Sequence, residues 1–309
     1  SVTSLPDHPS LWDAYGSVNP QSRHPSARFS TLYDPINQLT LDLQIAPCAS
    51  GERELARRHL QAACSGDLVL YDRGYPAFWL FALHRHLGIE FCMRTPWNLY
   101  NEGRDLFLSA DQEGWVTLSP TQDALAKCQE LGVDASPIPV RMLHIDLPNS
   151  DEPEILITSL TKSDLYPYEE FFALYHQRWF IEETYKTSKS RLEIENLTGY
   201  SEQIVEQDIR ARWVTLNINA ALLFDAQQQL EHELSDRALK HDYKVNRANS
   251  LRQLKHNIVR LLQRANPLPL LRKLISAMAR EREPIRPGRA YPRNMKSPKP
   301  RFPMRYKRV

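Results

Sequence analysis

The chain has 309 residues, of which 42% are apolar and 25% charged. That balance excludes disordered, collagen-like and membrane-spanning classes, and at roughly 150 residues per domain it suggests about two domains. No run approaches the roughly 20 consecutive apolar residues of a bilayer span. The opening SVTSLPDHPS lacks the charged head and apolar stretch of a signal peptide, so a cytosolic protein without membrane association is expected. Cys48, Cys64, Cys92 and Cys128 are too widely spaced for a C-x-x-C site and are read as reduced, mostly buried thiols. The formal net charge of +2 hides an asymmetry: from Arg280 onward eleven Lys or Arg face only Glu281 and Glu283, a local balance of +9 that leaves −7 for the remainder. With its prolines, residues 280–309 read as an extended tail able to bind polyanions by neutralising phosphates. The same composition also suits an ordinary solvated terminus.

In chain order, ARFSTLYD (27–34) and LTLDLQIA (39–46) are β-rich runs separated by Pro35 and Asn37, the signature of a hairpin. GERELARRHLQAAC follows with helical spacing of Leu55, His59 and Leu60, and Gly66 ends it. DLVLYD (67–72) reads as a strand of the kind buried in a sheet centre, stopping at Asp72. PAFWLFALHRHLG reads as an apolar helix with Pro76 in its first turn and Gly88 at its close, and IEFCMRT (89–95) as a further strand. This alternation indicates an α/β domain with a mixed sheet. RDLFLSA, GWVTLSP, IPVRMLHIDL and EPEILITSL then form a β-rich stretch over 96–162, an insertion or a continuation of the sheet. A long helix without Gly or Pro is expected from Tyr168 to Leu192, others from Glu202 to Leu230 and from Ser250 to Arg264, and the C-terminal part is helical. The triplet His84-Arg85-His86 is assigned to a helix surface, and Trp97, Tyr100 and Trp115 to core or hairpin packing.

Two places carry candidate chemistry. Tyr175, Arg178, Glu182 and Lys189 fall at about 0°, 300°, 340° and 320° around an ideal helix, one stripe that offers a carboxylate between two cations and a phenol. Such a face suits a metal at Glu182 and phosphates at Arg178 and Lys189. Its alternative is surface decoration, since Arg178 to Glu182 and Glu182 to Lys186 are i,i+4 pairs worth only ~0.2 to 0.5 kcal/mol each. Asp72 stands at a strand end, the usual rim for ligands in an open α/β sheet, although an Asp before Gly74 is also a turn former. Hard divalent ions such as Mg²⁺ take carboxylate oxygens, so Asp72 and Glu182 have to converge across the intervening chain.

The spacing Tyr175-x2-Arg178-x3-Glu182-x6-Lys189 resembles, without departure, the Y-R-E-K motif of the insertion-sequence-four group of bacterial DDE transposases. VLYDRGY around Asp72 is similar to the block carrying that group's second catalytic Asp, and HPSARFSTLYDPINQLTLDLQIAPCASGERELARRHL to the segment before it. The resemblance spans roughly residues 1–200. It implies a ribonuclease H-like catalytic core in 1–95 and 163–200 with the β-rich insertion at 96–162, followed by a helical region at 201–279 and the basic tail at 280–309. It further implies Mg²⁺- or Mn²⁺-dependent strand cleavage and transfer at insertion-sequence ends. Asp72 and Glu182 become the catalytic metal ligands, and Tyr175, Arg178 and Lys189 the DNA contacts. The implied partners are double-stranded DNA, both transposon ends and target, and a second copy of the chain assembled on it, in the bacterial cytoplasm or nucleoid. The family's first Asp sits in an Asp-Gly-Ser or Asp-Gly-Thr run before a Leu-Pro-Asp-like sequence. Because the present chain reads Ser1-Val2-Thr3-Ser4-Leu5-Pro6-Asp7, that Asp is expected just upstream of Ser1, with Asp34 and Asp42 as less attractive substitutes. A catalytically inactive DNA-binding or dimerising remnant is the alternative.

Overall fold

Turn and cap residues set most element boundaries in the computed structural model, which describes residues 1–109, 111–146, 153–193 and 196–286. The strand β1 (Val2–Ser4) and helix α1 (Pro9–Tyr15) precede β2 (Ser26–Asp34) and β3 (Leu39–Pro47), and the three strands form a sheet of order β1-β2-β3. Next come α2 (Glu52–His59), β4 (Leu68–Tyr71), α3 (Phe78–Leu87), β5 (Glu90–Thr95), α4 (Asn101–Leu108), β6 (Glu113–Leu118), α5 (Gln122–Leu131), β7 (Ile138–Ile145) and β8 (Glu154–Thr158). A single 3-10 turn leads into α6 (Phe171–His176) and α7 (Trp179–Arg191), and the chain continues through α8 (Glu202–Leu234), β9 (Tyr243–Val245), α9 (Arg247–Gln263), α10 (Leu268–Arg280) and β10 (Arg282–Pro284). In α2 the acids Glu52 and Glu54 lie in the first turn and Arg57, Arg58 and His59 in the last, the arrangement that complements a helix dipole. Helix α3 stops at Gly88, whose φ of 66° is left-handed, a conformation that calls for glycine.

The chain divides into two compact units. The first comprises Ser1, Arg28–Pro35 and Leu41–Thr184. It contains a five-stranded sheet of order β4-β5-β8-β7-β6, in which β4 and β5 are parallel and the other pairs antiparallel. Successive strand residues serve opposite faces. Phe91 and Met93 join Val140, Met142 and Ile157 in a core with Phe78, Leu80 and Phe81 of α3, Leu106 of α4 and Cys128 of α5. Cys92, Leu143 and Leu156 face the other way, onto Phe171 and Tyr175 of α6. The second unit comprises Val2–Ala27, Ile36–Thr40 and Tyr185–Val309. Its core packs Leu222, Ala226 and Leu230 of α8 with Leu254 of α9 and Met278 of α10, and β9 pairs antiparallel with β10.

Several expectations change. Strand β4 lies at an edge of its sheet among the described residues rather than in the centre. Its unbroken apolar run reflects two covered faces instead, with Val69 packed on one core and Leu68 and Leu70 on the other. Residues 96–162 supply three strands to the same sheet as β4 and β5, together with α4 and α5, so 104–108 of the RDLFLSA run are helical. The long helix over 168–192 is broken between α6 and α7. The tail does not start at Arg280: that residue closes α10, Arg282–Pro284 pairs with β9, and the remainder of the expected tail from residue 287 lies outside the described residues. Among the described residues no helix is long and apolar enough to cross a membrane. Cys48, Cys92 and Cys128 are buried, while Cys64 is exposed.

Candidate active site

Asp72 follows the last residue of β4, at the carboxyl end of a parallel strand pair, where α/β sheets open a crevice for ligands. Its Oδ1 accepts the Arg73 backbone N–H at 2.8 Å, and its carbonyl accepts from Tyr75 N at 3.3 Å. That turn orients the carboxylate through Oδ1, and Oδ2 lies on the Arg178 side. The residue before it is held as well, because the Tyr175 hydroxyl donates to the Tyr71 carbonyl at 3.0 Å.

Opposite Asp72 lies the break between α6 and α7. The N–H groups of Gln177, Arg178, Phe180 and Ile181 all bond three residues back, so a tightened turn interrupts the helix without Gly or Pro. Spacing along an ideal helix could not show this, and the single stripe of Tyr175, Arg178, Glu182 and Lys189 is therefore not one exposed face. Tyr175 is only 5% exposed, and burial raises its hydroxyl pKa above the ordinary tyrosine value. The phenol ring lies in the core, and its hydroxyl is engaged on the Tyr71 carbonyl.

Arg178 is the centre of the arrangement. Its side chain is nine-tenths buried, with the guanidinium 5.1 Å from the Trp179 ring and 5.8 Å from that of Tyr175. One nitrogen, Nη1, lies 3.8 Å from Asp72 Oδ2 and 3.1 Å from Glu182 Oε1. The two carboxylate oxygens consequently approach within about 7 Å of each other, the most that those two contacts allow. Burial works against the guanidinium charge, but the carboxylate of Asp72, then Tyr175 and Glu182, more than offset it and raise its pKa. Its Nε is buried without a hydrogen-bond partner in the protein, a donor still open to an acceptor. Asp72 and Glu182 keep solvent access, at 51% and 36% of their side-chain surface. Lys189 belongs to the second unit, where it is exposed and donates to the Val2 carbonyl at 3.0 Å.

The donor chemistry fits a hard divalent cation. Two solvated carboxylates converge on one positive group, Arg178 Nη1, and hard divalent ions take such oxygen ligands. Among the described residues no cluster of three or more His, Cys, Asp or Glu is placed to hold a metal. Asp42, one of the suggested third ligands, is engaged elsewhere: its Oδ2 accepts from Gln44 Nε2 at 2.6 Å and lies 2.7 Å from His59 Nδ1. Asp34 ends β2. Sequence reasoning missed His84, which is fully buried rather than on the surface, its Nε2 2.9 Å from the Tyr71 hydroxyl. The signal was available, since His84 lies three and four residues after Phe81 and Leu80 and so shares their apolar face.

A family model described as "Transposase DDE domain" matches residues 4–218. No curated protein matches the chain. Among solved structures, the chain is similar to the piggyBac transposase in a cryo-EM synaptic complex with hairpin DNA, at 8% identity and a TM-score of 0.47. That match covers 90% of this chain and 56% of the other, so the chain spans little more than half the length of that relative.

Proposed function

The chain belongs to the transposase DDE domain family, and from that premise we propose that it cleaves and joins DNA strands at the ends of an insertion sequence of the Y-R-E-K group, using Mg²⁺ or Mn²⁺ on a ribonuclease H-like core. The observation that carries this reading is the convergence of Asp72 and Glu182, 110 positions apart in sequence, on one nitrogen of Arg178. Asp72 Oδ2 and the Glu182 carboxylate would hold the divalent ion, which when bound activates the attacking water or 3′ hydroxyl and stabilises the leaving oxygen. The protein's own part is positioning. Arg73 N–H orients the Asp72 carboxylate, and Tyr175 holds the end of β4 rather than the DNA. Arg178, with its open Nε, would be available to a backbone phosphate of duplex DNA when Asp72 and Glu182 hold a divalent ion. Lys189 and the basic residues from Arg280 onward add phosphate contacts, and two copies assemble on paired ends.

The test is nicking of duplex DNA carrying insertion-sequence ends, with Mg²⁺ or Mn²⁺, by this chain. Cleavage abolished by Asp72→Asn and by Glu182→Gln is expected. Cleavage that survives both substitutions removes these residues from the chemistry. DNA binding without cleavage supports the inactive, DNA-binding alternative.

A further inference from the structure

The loop that presents Asp72 is anchored through a pair of buried polar side chains that the reaction itself does not use. The Tyr71 hydroxyl lies 2.9 Å from His84 Nε2, and His84 Nδ1 lies 3.0 Å from the Ile89 carbonyl. Both residues are buried, at 7% and 0% exposure. A carbonyl can only accept, so Nδ1 carries the proton. Burial lowers the His84 pKa to about 4 and keeps the ring neutral at physiological pH, partly opposed by the bond to Ile89. Nε2 is therefore a bare acceptor, and the Tyr71 hydroxyl donates to it. The donor and acceptor roles in this chain admit no other assignment for a neutral ring.

We infer that Tyr71 and His84 are positioning residues for Asp72, fixing the strand end from the α3 side while Tyr175 fixes it from the α6 side. This rests on the proposed role of Asp72 as a metal ligand. Tyr71 is the residue immediately before Asp72, and it is held at two points on opposite sides: its side chain by His84 and its carbonyl by Tyr175. The ring is further confined by Tyr75 at 5.1 Å and by the edge of His84 at 5.5 Å. With strand and ring fixed, the Asp72 carboxylate has only its own side-chain torsions left, and the Arg73 N–H sets those. Preorganised oxygen donors hold a metal more tightly than mobile ones, and outer partners that orient metal ligands affect affinity by about 10- to 100-fold.

The alternative is that the pair merely ties α3 to β4. The two roles separate in a double substitution. Tyr71→Phe alone strands the His84 acceptor and His84→Leu alone strands the Tyr71 donor, each at a folding cost; replacing both with apolar groups removes the unsatisfied partner and returns much of the stability. Mn²⁺ affinity of the whole chain, read by electron paramagnetic resonance of free Mn²⁺ alongside urea unfolding, then decides. Tyr71→Phe/His84→Leu is expected to recover stability relative to the single variants yet to bind Mn²⁺ about tenfold more weakly than the parent. Parent-like Mn²⁺ affinity in the double variant, with weakened binding in Asp72→Asn, overturns the positioning role and leaves the metal site standing. Parent-like affinity in Asp72→Asn overturns the metal site itself, and this inference with it. Should the double variant fail to fold, Tyr71→Phe, which keeps the ring, carries the same expectation of weakened binding.

Discussion

Arg178 sits where two demands on the site conflict. In the structure its Nη1 neutralises Asp72 and Glu182, whereas in the proposed reaction those carboxylates face a metal and the guanidinium faces a phosphate. Replacing it should act in opposite directions on the two ligands. Arg178→Ala is expected to raise Mn²⁺ affinity, because a competing cation is gone, and to weaken binding of duplex DNA. The magnitude of the log K against log salt slope should fall by about 0.9 for one lost phosphate contact. Lys189→Ala should lower the slope by a similar amount without changing Mn²⁺ affinity. Isothermal titration with Mn²⁺ and DNA binding across a salt series check both; a fall in Mn²⁺ affinity for Arg178→Ala would show that the guanidinium organises the carboxylates instead of competing for them. At this scale the sequence was informative about identity and silent about environment. Spacing picked out Tyr175, Arg178, Glu182 and Lys189, because a motif is a statement about residue types. It could not show that Tyr175 is buried on the Tyr71 carbonyl, since that depends on a partner 104 positions away.

Among the elements, α3 carries an acid sensitivity that follows from its burial of His84. An unfolded histidine titrates near 6.5, whereas burial holds His84 at about 4 in the folded chain. Between those values the unfolded state binds more protons, so stability is complete above pH of about 6.5 and falls as the pH is lowered, by up to roughly 3 kcal/mol at pH 4. His59 adds to the same trend: burial lowers its pKa, although its contact with Asp42 opposes this. Urea unfolding at pH 7.5 and at pH 4.5 should show the loss, and His84→Leu should flatten it; an equal loss in that variant would assign the sensitivity to other groups. Element existence was most legible where local chemistry punctuates the chain. The β2 and β3 hairpin, α2, α3 and β5 match their turn, cap and glycine signals closely. Helix α5 carries such signals too, Thr121 capping the Ala124 N–H and Gly132 closing the helix at φ 67° within a stretch that otherwise reads as strands. The break between α6 and α7 left no mark in the sequence, because it is built from backbone bonds three residues apart and from the seat of Arg178 between two aromatic rings and two carboxylates.

For the molecule as a whole, charge distribution carries the functional consequence. Residues 287–309 contain eight Lys or Arg and no acid. Removing them should reduce the salt dependence of duplex DNA binding by more than either single substitution does, since each lost phosphate contact lowers the slope by about 0.9. An unchanged slope after that deletion would assign DNA affinity to the remaining surface alone. The two compact units each have their own core, and the pair of carboxylates lies wholly within the first. Asp72 and Glu182 are proposed to share one divalent ion, and a double-substitution cycle on Mn²⁺ affinity reads that sharing. Asp72→Asn and Glu182→Gln should each weaken the tightest Mn²⁺ site by about tenfold or more, and the double variant should be little worse than either single one, because residues acting on one ion are coupled and not additive. Independent, additive losses, or Mn²⁺ binding unchanged in both single variants, would contradict a shared ion.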